Sequence, residues 1–336
     1  MKKVLGVLLA LAMLGSLFAF VGCNRHEDLI KGDFSQAATA EQRSEVSRSL
    51  AAGDLWGDVS EEAWGVNVRQ VVYGSVTSRA SAQGESFNID IDFNNVDHTI
   101  SFRNEGGSIA FWGSGALDMK MDINASGMRM NTSMRGSIYN DMSRIYMDVN
   151  YTASASVNGQ SARISDRMKV YDELTSGGDY GLDFNFSDED VVSTLIDFSM
   201  VEQALADSGV GVYIDDSDPG LRKVKIEWDE DGFLQYFEDE VYSELESSVG
   251  ASVSGDLVAG MDFGYCEYYF SIDKETGLLD GFGSKIKYDF GGSVTASGIS
   301  VAVEANSNLT SWLMLTDTPA GDTPADLDSY SDIDSI

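Results

Sequence analysis

Four residue classes are scarce in this 336-residue chain, and each scarcity removes a class of function. Cysteine occurs twice, at Cys23 and Cys266, so there is no disulfide framework to hold a small fold together. Histidine also occurs twice, as His26 and His98. A zinc site or a Ser-His-Asp triad would rest on His98 alone, so no enzyme is expected. Paired carboxylates of the glycosidase kind stay open, because the chain is full of acids and nothing picks a pair. Basic side chains number 22 against 55 acidic ones, a formal net charge of -33. Nucleic acid is thereby excluded, because phosphate contacts need clustered Lys and Arg. The same balance argues against adsorption to an anionic membrane through charge. Proline occurs three times beside 34 Gly, 14 Tyr and 16 Phe, a mixture that suits sheets and tight turns. The Gly residues cluster at turns, and none forms a phosphate-binding loop. Beyond the N-terminus no stretch reaches the ~20 apolar residues of a membrane helix.

What is present begins at the N-terminus. Lys2 and Lys3 precede an almost wholly apolar run from Val4 to Phe20, and Val21-Gly22-Cys23 follows. A basic tip, an apolar core and a small residue before the cut form a secretory signal. The Cys at the cut resembles a bacterial lipoprotein lipobox, although Phe20 stands where such boxes usually have Leu. That resemblance implies that 1–22 is a signal peptide and that Cys23 is lipidated at the mature N-terminus. An uncleaved anchor helix or an ordinary secretory signal are the alternatives. Residues 23–65 read as lipidated Cys, tether and short helix, the helix formers running from Ser35 to Arg43. Cys266, inside Tyr265-Cys266-Glu267-Tyr268, reads as a buried spare thiol because no histidine lies nearby to activate it.

From Val66 the pattern turns to period two, the mark of half-buried strands. Phe87, Ile89, Ile91 and Phe93 alternate with polar residues, as do Leu117, Met119, Met121 and Ile123. Met128, Met130, Thr132 and Met134 share one side, and Ile145 to Val157 repeats the alternation. Asn158-Gly159 is the strongest hairpin signal in the chain. Between about 187 and 249 the period changes. Val191, Leu195, Phe198 and Val201 fall at helical spacing behind a Ser187 cap, and Phe233, Tyr236, Phe237, Val241 and Leu245 do the same. Val210 to Ile214 and Val224 to Trp228 read as short strands between them. Strands return from about Leu257, with a turn at Asp273-Lys274-Glu275-Thr276-Gly277-Leu278 that puts Gly at a left-handed position. Residues 66–316 therefore read as one β-rich domain with a helical insert, and 317–336 as a loose acidic tail. The expected fold class is mostly β with a helical insert (α+β). Its core is a curved antiparallel sheet or open β-barrel with two or more helices packed on the concave side.

Strands, then helices, then strands behind a lipobox resemble the lipoprotein-carrier-like fold of LolA, LolB and the LppX group. The residues carrying the resemblance are the meander Phe87 to Met168, the insert Asp188 to Val249, and the hairpin Ser271 to Leu278. The resemblance implies a half-barrel whose helix-plugged cavity takes acyl chains.

Two sets of side chains stand out. Met119, Met121, Met128, Met130, Met134 and Met147 lie on the apolar side of neighbouring strands. Met is flexible and polarizable, so they read either as a wall for variable apolar ligands or as ordinary core. Glu227 to Glu238 matches a calcium loop at Asp229, Asp231, Gly232, Leu234 and Glu238, with Glu227 at the first place where Asp is expected. Its alternative is a strand-to-helix turn whose acids cap a helix. Calcium is the one cofactor the sequence raises. Asp215, Asp216 and Asp218 form a weaker cluster that reads as a solvated loop.

Three functions compete. The first is a lipid-anchored envelope lipoprotein, tilted to the outer membrane by Asn24, that binds acyl chains, lipid or lipoprotein in its cavity. The second is a surface or structural lipoprotein with a filled core, acting through protein contacts. The third, an outer-membrane barrel, is opposed by the mid-chain helices and the charged outward faces.

Overall fold

The computed structural model describes residues 28–51, 65–82, 85–104, 109–125, 128–141, 144–157, 160–173, 210–235, 253–256, 261–296, 299–322 and 324–332. The leader and Cys23, the helix expected from Ser187, and Glu238 lie outside them.

Alternating sequence yields long strands. β1 (Gly65–Ala82), β2 (Glu85–Asn104), β3 (Ile109–Ala125), β4 (Met128–Asn140), β5 (Arg144–Val157) and β6 (Gln160–Glu173) form an antiparallel meander. β7 (Val210–Asp215) and β8 (Leu221–Trp228) form a short hairpin. β9 (Val253–Asp256), β10 (Asp262–Asp273), β11 (Leu279–Ala296), β12 (Ile299–Leu315) and the two-residue β13 (Ser331–Asp332) complete the set. One curved, unclosed sheet holds them all, in the order β13-β6-β5-β4-β3-β2-β1-β12-β11-β10-β8-β7, with β9 also on β11. β12 joins the two meanders by pairing with β1 along Val68 to Ser81.

Period-two alternation carries one apolar face across the sheet. A single register row runs Gly292, Val303, Ala80, Phe87, Ala125, Met128, Val157, Gln160. A second runs Ile286, Leu309, Gly74, Phe93, Met119, Met134, Tyr151, Asp166. The register shifts between Val72 and Gly74, and Gly74 takes φ 122°, a value that suits Gly and few other residues. That bulge keeps the apolar residues of β1 and β2 on one face along their whole length.

The opposite face is polar over β2–β6 and ties itself together with ion pairs. Arg69 grips Asp97 through two hydrogen bonds of 2.9 and 2.7 Å, and Arg167 grips Asp148 through two of 2.7 and 2.6 Å. Over β1, β10 and β12 the same face is aromatic. Trp312 is fully buried there against Tyr73 and Tyr269. Gly283 stands opposite Trp312, and a Cβ at that position would overlap the indole ring. The glycine leaves the space in which the ring lies.

The first and last described segments both close onto this polar face. Ile30 and Phe34 cap the Trp312 cluster, and Lys285 holds Asp28 at 2.6 Å. The chain then bonds the β7 edge, Ala38 N–H donating to Val212 O at 2.7 Å, before α1 (Ala40–Ala51) begins. Thr39 caps α1 reciprocally with Gln42, a box that fixes where the helix starts. At the other end, the tail expected to be loose is laid across the sheet through Asp332. Ser101 and Ser114 hydroxyls accept the Ala320 and Gly321 N–H groups at 2.8 and 2.7 Å. Lys169 pairs with Asp326, Tyr330 packs edge-on to Tyr146, and β13 adds to β6 in parallel at Val170 and Tyr171. The composition of the tail suggested disorder, but serine acceptors and one lysine on the strands receive it.

The mostly β, curved antiparallel sheet expected from the alternation is present and unclosed. The chain forms one open sheet of thirteen strands, β1 and β12 pairing in its middle. Among the described residues the α-helices are α1 and the helical stretch 230–235, which starts where the second expected helix does; the rest of the expected insert helices lies outside the described residues.

Candidate functional site

The six methionines do share one face. Met119 stands directly opposite Met134, Met130 opposite Ile123, Met128 opposite Ala125, and Met147 between Ile138 and Val170. Period two and the register bring them together from β3, β4 and β5. Met119, Met121, Met130, Met134 and Met147 are half-buried and Met128 is exposed. In the other half of the sheet the same face is dry: Cys266, Phe270, Ile286, Tyr288, Val303 and Leu309 are buried. Phe233 of the helical stretch packs there on Phe263 and Tyr288, at ring separations of 4.9 and 6.0 Å.

His98 and Asn140 interrupt the apolar face. Both side chains converge over Gly113, where a Cβ would meet them. Burial drives the His98 imidazole down to about pKa 4, against a weaker raising effect of the Asn140 amide and of Asp97. The amide lies near, yet no well-formed hydrogen bond satisfies His98 Nε2 or Asn140 Oδ1. His98 is thus neutral at pH 7, a structural imidazole that titrates well below its ordinary range.

Of the calcium pattern, Asp229 and Asp231 are described and Glu238 is not. Asp229 accepts the Gly232 N–H at 2.8 Å, and its carbonyl accepts the Phe233 N–H at 3.1 Å. It therefore caps the helical stretch 230–235. Asp231 and Glu230 are exposed on that first turn, where the helix dipole favours acids. Among the described residues no group of three or more His, Cys, Asp or Glu side chains could hold a metal. The Asp215 cluster is a knotted turn, not a solvated loop. Asp215 is buried and accepts N–H groups of Asp33 and Ser217 at 2.8 and 2.9 Å. Those bonds, with that of the Ser217 side chain first, hold its pKa down to about 2. Asp216 pairs with Arg222, and Asp218 accepts the Gly220 and Leu221 N–H groups. Cys266 is buried, and burial pushes its thiol far above the ordinary range, so it is inert.

A cleft of about 520 Å³ opens between α1 and the β10–β11 turn, lined by Glu45, Val46, Arg48, Arg222, Ile272, Asp273, Lys274 and Gly277. Its charges are mostly spent internally. Arg222 is shared by Glu45 and Asp216, and Lys274 bonds the carbonyls of Asp216 and Asp218. Sequence reasoning missed the exposed end of the apolar face, where Val157 and Ile164 stand 46% and 62% exposed. Alternation put both on the apolar side, but no pattern along the chain says which part of a face is covered.

No family model matches the chain, and no curated protein matches it. Among solved structures it is similar to the translocator domain of the autotransporter NalP from Neisseria meningitidis. The identity is 6%, the TM-score is 0.22, and the match covers 82% of this chain and 95% of that one. A likeness at that score carries no argument about function. The expected kinship with lipoprotein carriers is overturned: the described strands join one large unclosed sheet of thirteen, not a half-barrel of their kind.

Proposed function

We propose that this chain is a lipid-anchored lipoprotein of the cell envelope, held through Cys23 in the outer membrane. Its sheet binds a hydrophobic ligand, acyl chains of a lipid or lipoprotein, along the apolar face of β2–β6. The observation that supports this reading is the partial exposure of that face. Five methionines are half-buried and Met128 is exposed on strands whose counterparts in β10–β12 are fully packed. Large bare apolar patches are rare on soluble surfaces, so a cover is expected. Met side chains re-pack around ligands of variable shape. The tightly filled β10–β12 half favours a second reading, a surface lipoprotein acting through protein contacts.

Titration with the neutral probe N-phenyl-1-naphthylamine separates them. Native protein should enhance its fluorescence with saturation, and Met119→Asp should abolish the enhancement while the fold survives. No enhancement by the native protein leaves the second reading. Mass spectrometry of the membrane-extracted protein should find Cys23 acylated, and a free thiol there ends the anchor proposal.

A further inference from the structure

The first described residues fix where the chain leaves the body. Asp28 is held by Lys285 at 2.6 Å, and Ile30, 3% exposed, is buried against Tyr73, Tyr269 and Trp312. All of these stand on the polar face. The register sets Lys285 and Tyr73 on either side of Thr310, one position out of step with the apolar row of Ile286, Leu309 and Gly74. Leu29, 36% exposed and one of four exposed large apolar side chains among the described residues, stands at the same exit.

Cys23 is five residues before Asp28. Whatever path residues 24–27 take, five extended steps span at most about 18 Å. Every route from Lys285 to the apolar side is longer. Along β11 the sheet continues about 20 Å to its nearer end at Leu279. Sideways, β10, β8, β7 and the chain at 36–38 that bonds β7 add four strand spacings, about 19 Å. The thickness of the sheet, and of the helical stretch that packs Phe233 on Tyr288, comes on top of either route. Charge around the exit is mixed, since Lys31, Lys287, Asp33 and Asp289 are all exposed, so reach and not charge sets the orientation.

We propose that this short reach turns the polar face of β10–β12 toward the bilayer that holds Cys23 and keeps the methionine face off it. The inference deepens the reading above, and it rests on acylation of Cys23 and on the ligand face of β2–β6. Acyl chains hold Cys23 at the lipid boundary, and Leu29 is the exposed apolar side chain next along the chain from it. The methionine face then opens to water. The protein exchanges its hydrophobic ligand with the aqueous side and not with its own membrane.

The test places a donor dye on either side of the sheet at one spot, in full-length acylated protein. Lys287→Cys lies on the polar face beside Tyr288, and Asp231→Cys lies on the helical stretch that covers Tyr288 from the apolar side; both native residues are exposed. Acylation blocks the Cys23 sulfur, and Cys266 is buried. On phosphatidylcholine vesicles carrying rhodamine-phosphatidylethanolamine, energy transfer from the Lys287→Cys label should exceed that from the Asp231→Cys label. A 20-residue Gly-Ser linker between Arg25 and His26, with a reach of about 25 Å, should erase the difference. Equal transfer with the native spacing, or the reverse order, overturns the orientation while the anchor stands. Failure to float with the vesicles overturns the anchor and this inference with it. Naphthylamine binding by the Cys23→Ser protein reads the ligand face separately, and its absence overturns the exchange but not the orientation.

Discussion

The two halves of the sheet obey one alternation and end in different states. Along a single register row, Val303 and Ala80 are 2% and 4% exposed, whereas Met128 and Val157 are 40% and 46% exposed. Antiparallel pairing is continuous through both halves, with register shifts in the β1–β2, β2–β3 and β10–β11 ladders. The difference lies in what each half carries on its two sides. β1 and β10–β12 present Phe270, Tyr288 and Leu309 on one face, with Phe233 on top, and Tyr73, Tyr269 and Trp312 on the other, beneath Ile30 and Phe34. β3–β6 present methionine, alanine and isoleucine on one face and a Ser, Thr and Arg lattice on the other. One half is a two-sided core. The other is a one-sided sheet whose apolar side chains stand partly exposed.

The largest test of that contrast is a pair of truncations. Trp312→Ala removes a fully buried ring from an aromatic cluster and should cost about 3–5 kcal/mol in chemical denaturation. Gly283→Val should approach that cost, since its side chain overlaps the ring. If both prove mild, the packed half is not the stable one.

Next in size is a pH effect confined to the open half. His98 falls from an ordinary 6.5 to about 4 on folding. The unfolded state then binds the extra proton between those values, so stability is complete above about pH 6.5 and falls as pH drops toward 4. The loss should amount to about 2–3 kcal/mol by pH 4, and His98→Gln should flatten the profile over that window. Asp215 acts lower on the scale and in the packed half. Its depressed carboxyl stabilises above pH 4, and that stabilisation fades as pH falls toward 2. Asp215→Asn should remove about 1–2 kcal/mol at neutral pH and leave the Asp33 and Ser217 N–H groups poorly paired.

Much of this architecture was legible in the sequence, for physical reasons. Period two marked β1–β6 and put all six methionines on one face, because pleating leaves no other choice. Asp273 to Leu278 formed the expected turn, Gly277 at φ 75°, since a left-handed position selects glycine. What stayed hidden depends on contacts distant in the chain. Nothing near Trp312 says that Ile30 and Phe34 will cover it, and nothing in an Asp- and Ser-rich tail says that Ser101 and Ser114 will hold it. In the calcium pattern Asp229 serves a helix cap, the alternative the same acids allowed, while Glu238 lies outside the described residues. The half-barrel expectation came from the order of elements. Order is shared by many sheets, and the number of strands that join one sheet is not.

The smallest effect sharpens the comparison most. Met130 sits on the apolar face between Ile123 and Ala155, and it is half-buried. Truncating a buried Met in a close-packed core costs about 2–5 kcal/mol, because a cavity is left behind. A half-buried Met has already left part of its surface in water, so only a fraction of that transfer energy is at stake. Met130→Ala should therefore cost less than about 1.5 kcal/mol, while lowering naphthylamine affinity several-fold by removing polarizable contact surface. The two readouts move apart only if the face serves a ligand. Should Met130→Ala destabilise the protein as severely as Trp312→Ala, the face is closed core in solution and the two halves are alike.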